Sequence, residues 1–485
     1  MIALLLALIP ISIGFLLVSS RRHLAARQRR RLAGHQSRTV VGFFHPYCNA
    51  GGGGERVLWT ALAHMQRTRS TNPKELYVVY TGDRGVTKES MIEKVKSRFG
   101  ITLDPTSLEF VFLKSRYLVE DSTWPRFTLV GQSLGSVLLA IEALWNVVPD
   151  VWVDTMGYAF TYPLVKLACR IPVGSYTHYP TISTDMLSRV STRQAGHSNA
   201  SIVSRSVVLT HLKLAYYRLF ATLYRHALSQ ADLIWVNSTW TRRHVQHLVP
   251  AHRVDLLYPP CDTTSLASLP LGRESRDPFQ VLSLSQFRPE KEHSLQLESL
   301  AQLFVLRPDL QSRVRLILAG SVRNSGDEQR VAALEALATK LGIKGQVEFK
   351  INEDWDVVRE LLGTSGVGLH TMFDEHFGIT LVEFQAAGLI PLAHASAGPL
   401  LDIVVPYSPP SPSTFLSGPT GYLASSAAKG DLPLAFAREL EKIFELGEEE
   451  QGQVRARARE NAVERFGTAV FERGWEEGWK RLVHE

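Results

Sequence analysis

Short β-rich apolar runs alternate with segments of helical periodicity along most of this 485-residue chain. Strands that alternate with helices pair in parallel and build doubly wound α/β domains. The alternation breaks between Pro259 and Asp277, where Pro, Ser, Thr and charged residues predict a linker. We therefore predict two Rossmann-like domains, over residues 38–265 and 278–485. The predicted strands are Thr39–Phe44, Leu76–Thr81, Leu108–Leu113, Val151–Asp154, Val173–Thr177, Leu233–Asn237 and Val254–Tyr258 in the first half, then Val281–Ser285, Val314–Ala319, Val347–Lys350, Val367–His370 and Ile390–Ala393.

The first 37 residues predict a membrane anchor. Residues 1–20 carry no charge and have about the length that crosses a bilayer. Arginines cluster in residues 21–31, after the apolar run, whereas a cleaved signal peptide, the alternative, has its basic residues before it. The positive-inside rule then places the rest of the chain in the cytosol, with residues 21–37 as a basic juxtamembrane linker. The sequence shows no nucleic-acid-binding motif, so this cluster indicates contact with anionic lipid.

The cysteines and acidic pairs give no sign of a metal site. Cys48, Cys169 and Cys261 are odd in number, far apart and without metal-ligand spacing, so we expect reduced thiols. The only Asp-x-Asp string, Asp354 to Asp356, opens a helical pattern, where acids meet the positive end of the helix dipole. We therefore expect neither a metal nor another cofactor.

The stretch from Phe373 to Ala387, FDEHFGITLVEFQAA, predicts a ligand site at a helix N-terminus. It follows the strand-like run Gly366–His370, and its apolar residues recur at helical spacing. First-turn amides have no acceptor within the helix and suit an anion such as a phosphate. The amides that we expect to donate are those of Phe377, Gly378 and Ile379.

Two carboxylates flank this predicted helix start. Glu375 precedes the helix and Glu383 lies within it, where each would bind hydroxyl groups beside the anion. On spacing alone, an N-terminal charge and a solvated helix face explain the two acids equally well.

Two further loops follow predicted strands and suit phosphate groups. Ser285 to His293 reads SQFRPEKEH, in which Arg288 and Lys291 could neutralise a departing nucleotide diphosphate. Gly51 to Gly54 separate a strand from a helical pattern, and bare glycines let the backbone approach a phosphate. This loop fits neither G-x-G-x-x-G nor a Walker P-loop, and a flexible turn without ligand contact is its alternative.

Two other features leave alternatives open. His178 lies just past the predicted strand Val173–Thr177, where a histidine either contacts substrate or has a structural role. The aromatic and basic run Val207–Ala227 predicts a helix that packs in the core or lies on a membrane surface.

A motif of a different enzyme class occurs at Gly131 to Gly135, GQSLG, which fits the G-x-S-x-G elbow of serine hydrolases. Asp154 and His178 follow Ser133 in hydrolase order. A hydrolase explains neither the second alternating half nor the two glutamates, and the sequence has no HGGG-type oxyanion loop. Small residues that let a helix pack closely are the other explanation of the motif.

Ordered motifs give the chain a resemblance to a known family. The Glu-x7-Glu spacing, with Phe-Gly after the first acid, resembles the signature of retaining family-4 glycosyltransferases of the GT-B fold. From about Val40 to about Val405, the closer resemblance is to the α-1,2-mannosyltransferase branch of the asparagine-linked glycosylation pathway. The motifs that carry it are HPYCNAGGGGERVLW, DTMGYAFTYP, THYPTIS, NSTWT, YPPCDT, QFRPEK and DEHFGITLVEFQAAG.

The resemblance implies a GT-B architecture, an activity and a location. It implies an acceptor domain and a GDP-sugar donor domain that face a cleft, with the final helices crossing back to the first domain. The implied reaction transfers mannose from GDP-mannose to a dolichyl-diphosphate oligosaccharide, with retention and without a metal, as the fourth and fifth mannoses in α-1,2 linkage. The implied location is the endoplasmic reticulum membrane, single-pass with cytosolic catalytic domains. The implied partners are membrane lipids and other glycosyltransferases of the pathway, and no nucleic acid.

The resemblance also implies roles for site residues. Glu375 would contact the donor sugar, Glu383 the nucleotide ribose, and His178 the substrate. Arg288 and Lys291 would bind the diphosphate; the family commonly has an arginine at the position of Gln286, so Lys291 is the better supported cation. The further donor-site residues are Phe377, Gly378, Ile379 and Gly320, and the residues of the acceptor and phosphate loop are Gly51, Gly52, Gly53 and Gly54.

Three classes of function therefore stand beside one another. The first is a mannosyltransferase, with another lipid-linked sugar transferase of the same fold as its nearest alternative. The second is a membrane-anchored serine hydrolase that uses Ser133, and the third is a catalytically silent membrane subunit. Glu375, Glu383 and Lys291 are all present, which favours the transferase.

Overall fold

The structure is a computed structural model, and it describes residues 38–69, 75–181, 207–407 and 417–484. The predicted anchor (residues 1–20), its basic linker (residues 21–37) and the Pro/Ser-rich loop Ser408 to Ser413 lie outside the described residues.

The chain divides into two compact units. The first holds the described residues up to Asn237 together with Thr241–Pro259 and Glu472–Glu485. Its sheet has strand order β3-β2-β1-β4-β5-β6-β7, and every neighbouring pair is parallel. These strands are β1 Thr39–Phe44, β2 Glu75–Thr81, β3 Leu108–Phe112, β4 Val151–Asp154, β5 Val173–Thr177, β6 Leu233–Val236 and β7 Val254–Leu256.

The second unit comprises Ser238–Trp240 and Pro260–Phe471. Its sheet has strand order β10-β9-β8-β11-β12-β13, again with parallel pairs. Two doubly wound parallel sheets confirm the predicted α/β fold class. The strands are β8 Asp277–Leu284, β9 Arg315–Gly320, β10 Val347–Ile351, β11 Ser365–His370, β12 Ile390–His394 and β13 Tyr422–Ala424.

Helices alternate with the parallel strands of each sheet and provide the crossover connections that such strands need. The α-helices of four or more residues are α1 Gly53–Thr68, α2 Lys88–Phe99, α3 Thr128–Asn146, α4 Val207–Leu228, α5 Thr239–Gln246, α6 Thr263–Ala267, α7 His293–Leu306, α8 Ser325–Lys340, α9 Trp355–Thr364, α10 Ile379–Ala387, α11 Leu432–Glu445, α12 Glu448–Phe466 and α13 Thr468–His484.

The segment predicted as a linker is a built part of the second unit. It contains α6, and Arg276 near its end is only 3% exposed. The Arg276 guanidinium donates to the carbonyl oxygens of Leu362 and Ser365 at 2.9 Å each, and to that of Ala387. Burial, with the charges of neighbouring arginines, lowers the pKa of Arg276 to about 9. Hydrogen bonds between residues so far apart in the chain leave no local sequence pattern, which is why composition alone predicted a linker.

The GQSLG motif lies inside α3 and not at a strand-to-helix turn. Ser133 Oγ donates to the Leu129 carbonyl oxygen at 2.6 Å, as serines within helices do. A Cβ on Gly135 would lie 1.9 Å from the Leu118 carbonyl oxygen, and one on Gly131 would lie 2.4 Å from the Trp124 ring. The small residues therefore allow close packing, and the structure contradicts the hydrolase alternative.

Helices α3 and α4 each have one face in the core of the first unit. Among the described residues, α3 is the one helix long and apolar enough to cross a membrane, a test that core helices also pass. Its Leu139, Ala140 and Ala143 are fully buried, which is typical of a core helix. Helix α4 buries Phe220 and Tyr224 against Phe160, so the core packing predicted for this run applies to one face.

We expect Gly135→Ala to destabilise the first unit by about 1–3 kcal/mol, because the new methyl group would force the Leu118 carbonyl aside. Ser133→Ala should change the free energy of unfolding by less than about 0.5 kcal/mol, since it removes only a hydroxyl that bonds within its own helix. Thermal unfolding of both variants measures the difference. Equal stability of the two would contradict the packing role assigned to the motif.

Candidate active site

The second sheet has a topological switch point between β8 and β11. Strands β9 and β10 extend the sheet on one side of this pair, and β12 and β13 extend it on the other. In open α/β sheets, ligands bind outside the carboxyl ends of the strands at such a point. Lys291 follows β8, and His370 ends β11 with Glu375 five residues later. The sequence therefore brings a cation, an imidazole and a carboxylate to the expected ligand position.

These three side chains form one cluster. Glu375 Oε2 accepts a hydrogen bond from Lys291 Nζ at 2.6 Å and lies 3.1 Å from His370 Nε2. Lys291 Nζ also lies 3.2 Å from Met372 Sδ. The Lys291 and Glu375 side chains are 21% and 16% exposed. Lys291 and Glu375, which the sequence predicted separately as site residues, are thus in direct contact, and a ligand can reach them.

The cluster keeps Glu375 ionised. Burial raises the pKa of Glu375, but the hydrogen bond with His370 and the charge of Lys291 outweigh burial and hold this pKa well below its usual range. A carboxylate that stays charged at any physiological pH can accept hydrogen bonds and stabilise positive charge nearby.

The loop that carries Glu375 is held by hydrogen bonds at both ends. The Asp374 amide donates to Ser396 Oγ at 2.8 Å, and the Gly398 amide donates to the Glu375 carbonyl oxygen at 3.0 Å. His394 Nδ1 lies 3.0 Å from the same Ser396 Oγ. Asp374 adopts φ 54°, a left-handed conformation that these bonds stabilise.

Helix α10 begins two residues later than the first amide predicted to donate. Gly378, at φ 107°, precedes the helix, so the amides of Ile379 and Thr380 open its first turn. The Phe377 side chain is buried and packs against Phe466. Glu383, in the middle of α10, is partly buried. Of the predicted donors, the Ile379 amide is therefore the one in the first turn.

Arg288 and Gly320 lie on the same edge of the sheet. The Arg288 guanidinium is 3.7 Å from Glu290, and Arg288 lines a surface pocket of about 220 Å³ with Arg330 and His293. A Cβ on Gly320 would lie 1.8 Å from the Ser285 carbonyl oxygen, so glycine allows the turns after β8 and β9 to pack closely.

The first unit has its own switch point, between β1 and β4. His45 follows β1, and its Nδ1 lies 2.7 Å from Thr155 Oγ1, just after β4. His178 follows β5, and its Nε2 lies 3.2 Å from the Thr155 carbonyl oxygen. A Cβ on Gly54 would lie 3.5 Å from His178 Nε2. The structure thus brings together His178 and the glycine loop, two features that the sequence singled out separately.

The glycine loop is partly occupied by the chain itself. Glu55, in the first turn of α1, accepts hydrogen bonds from the amides of Ala50 at 3.1 Å and Gly52 at 2.7 Å. The Asn49 amide donates to Asp83 Oδ2 at 3.1 Å. These bonds argue against the flexible-turn alternative, because they fix the loop and the residues before it through the amides of Asn49, Ala50 and Gly52.

Two residues of the sites were missed from the sequence. In the sequence, His370 is the last residue of an apolar run, and His45 lies just before the glycine loop, so neither was recognised as a site residue. The available signal was position, since a polar residue at the carboxyl end of a parallel strand lies at the ligand edge.

The described residues contain neither a metal-binding cluster nor a disulfide. Within residues 38–69, 75–181, 207–407 and 417–484, it contains no group of three or more His, Cys, Asp or Glu side chains that could hold a metal ion. Cys48, Cys169 and Cys261 are free thiols and buried.

The fold is that of the GT-B glycosyltransferases, and two family models match the chain. Residues 272–465 match the family Glycosyl transferases group 1, and residues 38–249 match the family ALG11 mannosyltransferase N-terminus. The structure is similar to Anabaena Alr3699/HepE in complex with UDP and glucose, with a TM-score of 0.59 and 15% identity, covering 91% of this chain and 99% of that one. It is also similar to sucrose-phosphate synthase from Thermosynechococcus elongatus, with a TM-score of 0.62 and 15% identity over 92% and 100% of the two chains. At such identity, the likeness shows the fold alone.

Much closer relatives are named GDP-Man:Man(3)GlcNAc(2)-PP-Dol alpha-1,2-mannosyltransferase. The Mus musculus protein is 46% identical over 440 residues, which cover 90% of this chain and 86% of the relative. The Homo sapiens protein is 45% identical with the same coverage, and the Kluyveromyces lactis protein is 38% identical over 93% of this chain and 80% of the relative. The chain belongs to this family of α-1,2-mannosyltransferases, as the sequence motifs predicted.

The buried His45 generates a prediction about acid stability. Burial, with the nearby His178, lowers the pKa of His45 from 6.5 to about 3. Between these values the unfolded chain binds a proton that the folded chain does not, so the free energy of unfolding falls as pH decreases, by up to about 1.4 kcal/mol per pH unit. His45→Gln should make urea unfolding less dependent on pH between 7 and 5. His252→Gln, at an exposed histidine, is the control, and equal pH dependence in both variants would contradict the prediction.

Proposed function

We propose that this protein transfers mannose from GDP-mannose to a dolichyl-diphosphate-linked oligosaccharide. It forms α-1,2 linkages and adds the fourth and fifth mannoses during assembly of the N-glycan precursor. Membership of the family supports the donor, the acceptor and the linkage. The observation that carries the proposal is the contact of Lys291 and His370 with Glu375 at the switch point of the second sheet.

The leaving group is a nucleoside diphosphate, so the site must stabilise negative charge that grows as the sugar–phosphate bond breaks. A lysine ammonium has three N–H donors. One bonds Glu375 and a second faces the weak acceptor Met372 Sδ, which leaves one for the diphosphate. Arg288 adds a second positive charge beside the diphosphate. The first-turn amide of Ile379 adds the positive end of a helix dipole.

Glu375 binds the donor sugar. As the bond to phosphate breaks, positive charge develops at the anomeric carbon, and an ionised carboxylate nearby stabilises it. The acceptor hydroxyl oxygen then bonds to that carbon from the side of the leaving group, and its proton passes to a phosphate oxygen of GDP. This geometry retains the anomeric configuration without a covalent glycosyl-enzyme.

The remaining predicted residues complete the two substrate sites. Glu383 binds the ribose of the nucleotide, and Gly320 lies at the donor edge of the second sheet. In the first unit, His178 and the glycine loop Gly51 to Gly54 bind the acceptor, because they share the carboxyl edge at the β1/β4 switch point. The reaction needs no metal, because Lys291, Arg288 and helix amides supply the charge that a metal would otherwise provide.

We place the protein in the endoplasmic reticulum membrane, single-pass, with its catalytic domains in the cytosol. A lipid-facing surface on the first unit supports membrane contact: Phe127, Leu219 and Leu223 are 68%, 62% and 50% exposed. Phe127 contacts Tyr216, which lies on the same face of α4 as the two leucines. Exposed arginines, Arg126, Arg218 and Arg225, flank this surface. Apolar side chains beside cations suit an anionic bilayer surface.

Purified full-length protein should transfer two mannoses from GDP-mannose to the Man(3)GlcNAc(2)-diphosphate-dolichol that the relatives' names specify, and α-1,2-mannosidase should remove both. Glu383→Ala should mainly raise KM for GDP-mannose, since a ribose contact is equal in the ground and transition states. Glu375→Gln and Lys291→Ala should mainly lower kcat, because their contacts strengthen as charge develops.

Mass spectrometry of the products and steady-state kinetics with and without a chelator measure these effects. Absence of transfer by the folded wild type would refute the proposed function. Near wild-type kcat and KM in both glutamate variants would refute the assigned roles, and loss of activity with chelator would refute the metal-free site.

The lipid-facing surface gives a separate prediction. Leu219→Asp combined with Leu223→Asp should raise KM for a dolichyl acceptor in vesicles, because charge on this face opposes contact with the bilayer. KM for a short-chain acceptor in detergent should not change. Val305→Asp, at a residue 73% exposed in the second unit, is the matched control. Equal KM for the vesicle acceptor in all three proteins would show that this surface does not contact lipid.

A further inference from the structure

His370 and Lys291 bond the same oxygen of Glu375. Lys291 Nζ lies 2.6 Å and His370 Nε2 lies 3.1 Å from Oε2. A carboxylate oxygen only accepts, so His370 Nε2 carries the proton that it donates. Among the described residues, the two hydrogen-bond partners of the Glu375 carboxylate therefore lie on one side of it. Oε1 is the oxygen left to meet a ligand.

His370 itself is fixed. It ends β11, whose pairing with β12 aligns His370 with Ala393, and it is only 4% exposed. The next residue, Thr371, donates to the Lys291 carbonyl oxygen at 2.9 Å and accepts from Gln296 Nε2 at 3.0 Å. The backbone that positions His370 is thus bonded to the turn that positions Lys291.

We infer that His370 is a positioning residue for the transfer reaction: it orients the Glu375 carboxylate so that Oε1 faces the donor sugar. Lysine alone does not define this orientation, because an ammonium group is a point charge on a flexible stem. The imidazole is planar, buried and attached to a strand, so it donates from one direction. The inference rests on the proposed function, since it assigns to His370 a part in the role given to Glu375.

The same contact contributes to the charge state of Glu375. Burial raises the pKa of this carboxyl, and the His370 hydrogen bond is the largest of the effects that lower it. In a variant without His370, no hydrogen bond from this residue offsets the effect of burial, so the pKa of Glu375 rises. Lys291 still bonds Glu375 in such a variant and opposes this rise, so a loss of activity at pH 7.5 reports the orientation of the carboxylate.

Other titratable groups around the cluster do not raise the pKa of Glu375 in the same way. Burial, with the charges of His370, Lys291 and Arg330, lowers the pKa of His293 to about 4, so His293 is neutral above about pH 5. Burial also lowers the pKa of His394. The groups that face or flank Glu375 from the surrounding elements and from its own loop are Lys291, His370, His293, Arg330, His394, Asp374 and His376.

The test compares kcat and KM for GDP-mannose at pH 7.5 in full-length His370→Leu and His370→Gln. Leucine removes the donor, whereas the amide of glutamine reaches far enough to replace it. We expect His370→Leu to lower kcat on the order of tenfold or more at pH 7.5, with little change in KM for GDP-mannose, because misorientation affects the transition state most. The kcat of His370→Gln should lie between that of His370→Leu and that of the wild type.

The control is His64→Leu, at a buried histidine of the first unit, which should leave kcat unchanged. If His370→Leu does not fold, His370→Asn replaces it, since its shorter amide does not reach Glu375. A folded His370→Leu or His370→Asn with the kcat of the wild type overturns the inference, as does equal kcat of the glutamine and leucine variants. A wild type that transfers no mannose refutes the proposed function instead, so the two failures are distinguishable.

Discussion

The pairing of β11 with β8 is the constraint on which the site of the second unit depends. Strand β11 has glycines at alternate positions, Gly366 and Gly368. A Cβ on Gly366 would lie 2.7 Å from the Asp277 carbonyl oxygen of β8, and one on Gly368 would lie 2.2 Å from the Phe384 ring of α10. The missing side chains therefore let the neighbouring strand and the following helix approach the backbone of β11. Larger residues would displace α10 and the loop that carries Glu375 away from Lys291.

Stability does not explain the charges that this geometry brings together. Burying a carboxylate and an ammonium group removes both from water, and replacing such a pair by apolar residues is often neutral or stabilising. Here the partly buried pair lies at the carboxyl edge of the sheet, the expected ligand position, and it receives a third partner, His370. Perturbed carboxyl groups with specific charged partners are typical of functional sites. We therefore attribute the cluster to binding and catalysis.

The sequence predicted most of the strands because their signals are local. The bounds of β1, β4 and β5 agree with the prediction, since apolar β-rich residues fill each of them. Strand β13 was missed because three residues, Tyr422–Ala424, are too short for a period to be recognised. Strand β8 starts at Asp277, four residues before its predicted start, because its first residues are partly exposed and not uniformly apolar.

The candidate site was predictable where it depended on motifs and not where it depended on long-range contacts. Glu375, Lys291 and His178 lie beside recognisable turns between strands and helices. The partnership of His370 with Glu375 depends on the left-handed residue Asp374, which folds the loop back onto the end of β11. The backbone conformation of a single non-glycine residue is not encoded in periodicity, so this contact required the structure.

The two switch points differ in charge, and this difference supports the division of substrates between the units. In the second unit, a lysine, an arginine and a helix N-terminus lie at the carboxyl edge, which suits a diphosphate. In the first unit, burial lowers the pKa of His45 to about 3, so its imidazole is neutral at physiological pH, and burial raises the pKa of Asp154 to about 6. Glu55 further occupies two amides of the glycine loop with a carboxylate. An edge with neutral imidazole and an internal anion disfavours a phosphate and suits the uncharged hydroxyls of a sugar acceptor.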